Sequence, residues 1–182
     1  GIFEKIDIEG FEYVKNFFED KNGNLWIGSF GGGVAKITLD SKGDISEMTL
    51  YDLLIANSTE KNPYINFIYE DFKSDIFIGT REGGLYKLDN DTNNFKNIYV
   101  KDDIVRNSIG PYFLSVAQAL DGKYWIGTLG GLIVCNQFED IEKGNFKWYN
   151  AVLTEDTSLI DNLVYSLYFD SAGILWIGTE DG

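Results

Sequence analysis

Apolar and polar residues alternate in short runs along this chain, and the runs recur in a fixed order. Residues 13–20 (YVKNFFED), 64–71 (YINFIYED), 113–119 (FLSVAQA) and 163–170 (LVYSLYFD) alternate with a period near two, which puts successive side chains on opposite faces of a strand. Each run is followed by a tight turn (KNGN, FKSD, LDGK, SAGI) and then by LWIGS, IFIGT, YWIGT or LWIGT. Asn22-Gly23 and Asp121-Gly122 are strong hairpin signals, because Gly readily takes the positive φ such turns require. After a Gly pair a third run begins: GVAKITL from Gly33, GLYKLD from Gly84, GLIVCN from Gly131. A fourth follows a polar turn: GDISEMTLYDL, NNFKNIYV, GNFKWYN. No window keeps an i, i+3, i+4, i+7 apolar stripe for three turns, so helical repeats are set aside.

The glycines of the W/F-I-G words, Gly28, Gly79, Gly127 and Gly178, are separated by 51, 48 and 51 residues. Four short antiparallel strands in one such period make a propeller blade, a unit that cannot bury both of its faces alone. Trp26, Trp125 and Trp176, with Phe77 in the same place, are expected to plug the seams between blades; truncating one should cost roughly 3–5 kcal/mol. The opening GIFEKIDI reads as the last strand of a preceding blade (1–10). Residues 11–55, 62–101 and 111–150 read as three blades, and 162–182 as the first two strands of another. The predicted fold is therefore an all-β, partial β-propeller of about three and a half blades, where closed rings have four to eight. Either it is a piece of a longer, for example seven-bladed, ring, or two copies pair to cover their exposed edges.

Composition narrows the chemistry. Hydrophobic residues make up 44% and aromatics 15%, the content of a folded chain. The first residue is Gly and not Met, which reads as an excised piece, and no apolar run reaches the roughly 20 residues of a membrane span. A net charge of −14 disfavours nucleic acid and anionic membrane surfaces as partners. Cys135 is the single cysteine, in an apolar strand-like run that suits a buried thiol, and it says nothing of compartment. Asn57 and Asn90 head Asn-x-Thr triplets, which matter only in a glycosylating pathway. There is no histidine, which removes serine–histidine and cysteine–histidine catalysis and histidine-ligated zinc; no metal and no cofactor are expected. Glu19-Asp20, Glu70-Asp71 and Asp170 recur at the start of a turn, where capping of backbone N–H groups explains them without catalysis.

EDKNGNLWIGSFGGGVAKI and its partner copies resemble the two-component regulator propeller repeat: an acidic residue, a Gly turn, LWIGT, and GGL leading into an apolar strand. Ala119 departs from the acidic position, and Ser74 and Phe77 depart from the turn Gly and the Trp. The resemblance implies the extracytoplasmic sensing region of a bacterial hybrid or classical two-component sensor histidine kinase. It also implies a non-catalytic role and an oligosaccharide or other nutrient-derived ligand.

Strand alternation puts the second-to-third and fourth-to-first connections of all blades on one side, and that side carries the variable residues. Asn62, Tyr64, Arg81, Glu82, Arg106, Asn107, Tyr112 and Asn162 are the candidate ligand contacts, with Phe30, Leu129 and Glu180 beside them. Amides, phenols and a guanidinium suit hydroxyl-rich or acidic ligands. A protein-interaction scaffold is one alternative. A polysaccharide lyase or hydrolase is another, and it would need two carboxyls in one pocket.

Overall fold

The computed structural model describes residues 5–55, 58–98, 107, 112–152 and 158–182. Their strands form separate antiparallel sheets in chain order. The first holds β1 (Val14–Glu19), β2 (Leu25–Ser29), β3 (Val34–Leu39) and β4 (Ile45–Tyr51). The second holds β5 (Tyr64–Glu70), β6 (Ile76–Arg81), β7 (Leu85–Asp89) and β8 (Asn94–Ile98). The third holds β9 (Phe113–Gln118), β10 (Tyr124–Thr128), β11 (Gly131–Cys135) and β12 (Lys147–Tyr149). A last pair, β13 (Val164–Phe169) and β14 (Leu175–Thr179), stands alone. Each four-stranded sheet is a simple meander, β1 and β2 pack on β5, β5 and β6 on β9, and β9 and β10 on β13. This is a partial propeller. Among the described residues no helix is long and apolar enough to cross a membrane.

The repeated glycine has a packing reason. A Cβ on Gly28 would lie 2.6 Å from Cγ2 of Ile65 in the next blade, and one on Gly127 would lie 2.4 Å from the Val164 carbonyl oxygen. The second strand therefore approaches the neighbouring first strand more closely than any side chain permits. Each first strand also leaves one residue out of register: Lys15, Asn66, Leu114 and Tyr165. At these bulges the blades are stitched together. Asn16 Nδ2 donates to the Ile65 carbonyl (2.8 Å), Asn66 Nδ2 to that of Phe113 (3.0 Å) and Ser115 Oγ to that of Val164 (3.3 Å).

The aromatic plugs fill the seams to different extents. Trp26 is 1% exposed and belongs to one cluster with Ile65, Ile68 and Tyr86 of the second blade. Phe77 is buried in the next seam with Phe113, Tyr124 and Phe138. Trp125 is half-buried, stacked on Tyr149 at 6.3 Å and edge-on to Phe169 at 6.3 Å. Trp176, on the last pair, is 62% exposed.

Two expectations are corrected. Residues 5–10 form no strand. With no third strand beside them among the described residues to complete a ladder, they turn at residues 8–11, where the Phe11 N–H donates to the Ile8 carbonyl (3.0 Å). Ile8 packs against the cluster of Phe11, Ile27, Ala35 and Ile37. The polar turn expected before β12 is a short helix, α1 (Glu139–Lys143), ended by Gly144 at φ 73°. Its leading Phe138 stacks on Phe77 at 3.8 Å and meets Tyr124 at 4.3 Å, and Ile141 is buried. The benzyl ring of Phe77 is smaller than the indole of the other blades, and Phe138 supplies the missing apolar surface. Lys87 Nζ, 2.8 Å from Asp75 and 2.9 Å from Glu139, ties the helix to the second blade.

Candidate functional site

Tyr13, Tyr64 and Tyr112 stand at equivalent places, at or just before the start of a first strand. The Phe30 N–H donates to the Tyr13 carbonyl (3.0 Å), Tyr64 pairs directly with Arg81, and the Leu129 N–H donates to the Tyr112 carbonyl (3.4 Å). Each tyrosine thus lies beside a residue at or just past the end of a second strand. Across the seams the rings meet. Phe30 and Tyr64 have centroids 4.6 Å apart at 40°, and the Arg81 guanidinium lies 5.4 Å over the ring of Tyr112. Lys15, the unpaired residue of the first bulge, sits 5.9 Å over Phe30; bulges commonly re-aim a side chain in this way. Lys15, Phe30, Tyr64, Arg81 and Tyr112 make one continuous stripe over three blades.

Phe30 and Tyr64 are 39% and 44% exposed. An open depression of about 570 Å³ is lined by Gly10, Glu12, Tyr13, Phe30, Gly31 and Tyr64. At the other end, Tyr112 donates its hydroxyl to Glu82 Oε1 (2.9 Å), and that oxygen lies 3.7 Å from Arg81 Nε, beyond hydrogen-bond range. The Tyr112 phenol first, and Glu82 after it, raise the proton affinity of the guanidinium, which is charged at any physiological pH. Glu82 holds φ 72°, where its counterpart in the first blade is Gly31 at φ 79°. A side chain in that region costs on the order of 1 kcal/mol or more, and here it places a carboxylate against Tyr112.

Of the candidate contacts, Tyr64, Arg81, Glu82 and Tyr112 come together. Asn62 and Asn162 do not join them, because both brace loops. Asn62 Oδ1 accepts from the Leu53 N–H (2.9 Å) while its Nδ2 donates to Asp52 Oδ1 (2.9 Å), and Asn162 Oδ1 accepts from the Ala151 N–H (2.6 Å). The same bond in two blades marks a structural device. Asn107 is exposed, and Arg106 lies outside the described residues. Tyr13 and Lys15 were not among the candidates; the position of Tyr13, matching Tyr64 and Tyr112 at the start of the repeat, is the signal that finds it.

The recurring acids are caps. Asp20 Oδ1 accepts from the Asn22 and Asn24 N–H groups, Asp71 Oδ1 from those of Lys73 and Asp75, and Asp170 Oδ1 from those of Ala172 and Ile174. Cys135 is buried, and burial pushes its thiol up to about 12, far from a reactive thiolate. Among the described residues no group of three or more Cys, Asp or Glu is placed to hold a metal ion.

Residues 9–31 and 158–181 match the two component regulator propeller family. No curated protein sequence matches the chain. Among solved structures, the fold is similar to the extracellular domain of a B. thetaiotaomicron protein assigned to the hybrid two component systems. The identity is 18% and the TM-score 0.71, over 91% of this chain and 20% of that one. A second such domain from B. thetaiotaomicron has 24% identity and a TM-score of 0.64, over 91% of this chain and 19% of that one. A catalytically inactive histidine-to-alanine variant of Staphylococcus aureus virginiamycin B lyase, with quinupristin, has 15% identity and a TM-score of 0.61. That match covers 96% of this chain and 51% of the lyase. The chain spans about a fifth of the length of the two-component-system domains it matches.

Proposed function

We propose that this chain is a non-catalytic, ligand-binding segment of an extracytoplasmic sensor propeller in a bacterial two-component histidine kinase. In this reading the loop face takes an oligosaccharide or another nutrient-derived ligand, and the kinase lies elsewhere in the parent protein. The observation that carries it is the stripe from Lys15 to Tyr112, in which exposed rings and cations from three blades share one face. Exposed rings suit the apolar faces of sugars, and a few fixed polar groups set orientation. The family match and the extracellular two-component neighbours favour sensing over catalysis. The lyase neighbour points the other way, but its histidine-to-alanine variant is inactive and this chain has no histidine. Blades of the parent chain, or a second copy, would cover the outer faces of the first sheet and of β13–β14.

Calorimetric titration with a glycan panel tests the proposal. Binding should be lost in Tyr64→Ala with the fold intact by circular dichroism. Silence of the folded protein across every glycan class would leave only a scaffold role, and turnover of a polysaccharide would replace sensing with catalysis.

A further inference from the structure

The seam between the first two sheets is filled from all four strands of the second. Trp26 stacks on Tyr51 of its own sheet (centroids 5.7 Å apart at 24°), and Phe95 of β8 stands edge-on to both rings, at 6.1 and 5.3 Å. Tyr86 and Leu88 of β7 are buried in the same cluster, with Ile65 and Ile68 of β5 and Ile76 and Ile78 of β6. The seam at Trp125 has the same near wall. Tyr149 pairs with Leu132 as Tyr51 pairs with Val34, and Trp125 stacks on it at 6.3 Å and 11°. From the far side Phe169 of β13 meets Trp125 edge-on, but no third or fourth strand stands there among the described residues. Tyr149 is 44% exposed where Tyr51 is 5%, and a cavity of about 520 Å³ is lined by Trp125, Val134, Phe146 and Tyr149 with Lys123 and Lys147.

The ladder is open at the same place. Among the described residues β14 pairs with β13 alone, whereas β2, β6 and β10 each carry a third strand on their other side. In those pairs an apolar residue faces the bare glycine: Val34 opposite Gly28, Leu85 opposite Gly79 and Leu132 opposite Gly127. Two residues on, Lys36 faces Trp26 and Lys87 faces Phe77, and each ammonium lies over its partner's ring, at 5.5 and 5.4 Å. A ring face attracts a cation in this way. Trp176 and Gly178 present the same indole and glycine on an open edge.

We infer that the edge of β14 and the slot beside Trp125 form one receptor for a β-hairpin supplied by another polypeptide. The first strand of that hairpin carries an apolar residue opposite Gly178 and a lysine opposite Trp176. Its alternate apolar residues, with an aromatic residue on the return strand, fill the slot as Tyr86, Leu88 and Phe95 fill the seam at Trp26. Backbone bonds to a free edge supply affinity, and pockets for alternate side chains supply specificity. A second copy of this chain has no such hairpin to give, since β3–β4, β7–β8 and β11–β12 are each paired within their own sheets. The partner is therefore a chain with an unpaired hairpin of the repeat's third-and-fourth-strand kind. This surface shares no residue with the stripe from Lys15 to Tyr112.

The probe is a synthetic peptide of residues 85–98 of this chain, LYKLDNDTNNFKNI, titrated into the isotope-labelled 182-residue protein. Binding should shift the amides of Trp176 and Gly178 and the indole N–H of Trp125. At saturation it should slow exchange of the β14 amides about tenfold or more. A second peptide carrying Leu88→Ser and Phe95→Ser keeps the backbone and loses the slot residues, and it should bind at least about tenfold more weakly. Equal binding of the two peptides would overturn the slot. Shifts confined to β5–β8, from exchange with the strands the peptide copies, or no shifts at millimolar peptide, would overturn the receptor itself.

Discussion

Trp26 and Trp176 make the same bond in opposite surroundings. The indole N–H donates to Asp20 Oδ2 at 2.8 Å in one and to Asp170 Oδ2 at 2.9 Å in the other, yet the first is buried and the second lies open. Local chemistry being equal, stability follows burial. Trp26→Ala should cost about 3–5 kcal/mol and Trp176→Ala less than about 1 kcal/mol, read by thermal or urea denaturation. The paired aspartate adds a pH dependence. Burial by itself would raise the pKa of Asp20, but the hydrogen bonds from Trp26, Asn24 and Asn22 outweigh it and hold the carboxyl below its ordinary 3.8. A lowered folded-state pKa stabilises above the unfolded value, and that share is lost as pH falls through the folded value. The melting-temperature gap between the native chain and Asp20→Asn should therefore close below about pH 4. Glu82 runs the other way: its left-handed backbone is a cost that Glu82→Gly removes. That variant should melt no lower than the native chain, measured by thermal denaturation.

At the scale of the element, each blade solves the same turn with different residues. Where Phe77 lacks an N–H, the second oxygen of Asp71 accepts instead from the Tyr124 hydroxyl of the next blade (2.6 Å); burial and that carboxylate push the phenol's pKa up. The third blade has Ala119 at the acidic position, so its turn and Trp125 go without this acceptor. Ala119→Asp places a carboxylate two, four and six residues ahead of the Asp121 N–H, the Lys123 N–H and the Trp125 indole, as Asp20 is ahead of its own partners. It should add about 1 kcal/mol, measured as a raised urea midpoint with unchanged slope. The strands and turns were legible because a period of two and Gly-marked hairpins are local signals. The helix α1 was not: its five residues are too few to show a helical period, and Phe138 is drawn in by Phe77, some sixty positions away. Asn62 and Asn162 looked like ligand groups because their true partners, Leu53 and Ala151, lie nine and eleven residues back in irregular chain. Lys15 was hidden by alternation itself, since only the bulge takes it out of register.

Across the whole molecule, contacts between sheets run from each blade to the next, so stability should be close to a sum of blade and seam contributions. The first two seams are sealed by Trp26 and by Phe77 with Phe138, whereas β13–β14 rests on a single seam through the half-buried Trp125. A two-stranded hairpin is marginal alone, and this one exposes Tyr165, Tyr168 and Trp176. Native-state hydrogen exchange should therefore rank the amides of β6 and β10 as slowest and those of β14 as fastest among the strands. Trp26→Ala separates nearest-neighbour behaviour from all-or-none opening. It should speed exchange through β1–β8, where its seam lies, and leave β13–β14 unchanged, because the intact sheet β9–β12 stands between. An equal rise in β14 would mean that the blades open together, and that the seams transmit far more than their neighbours' packing.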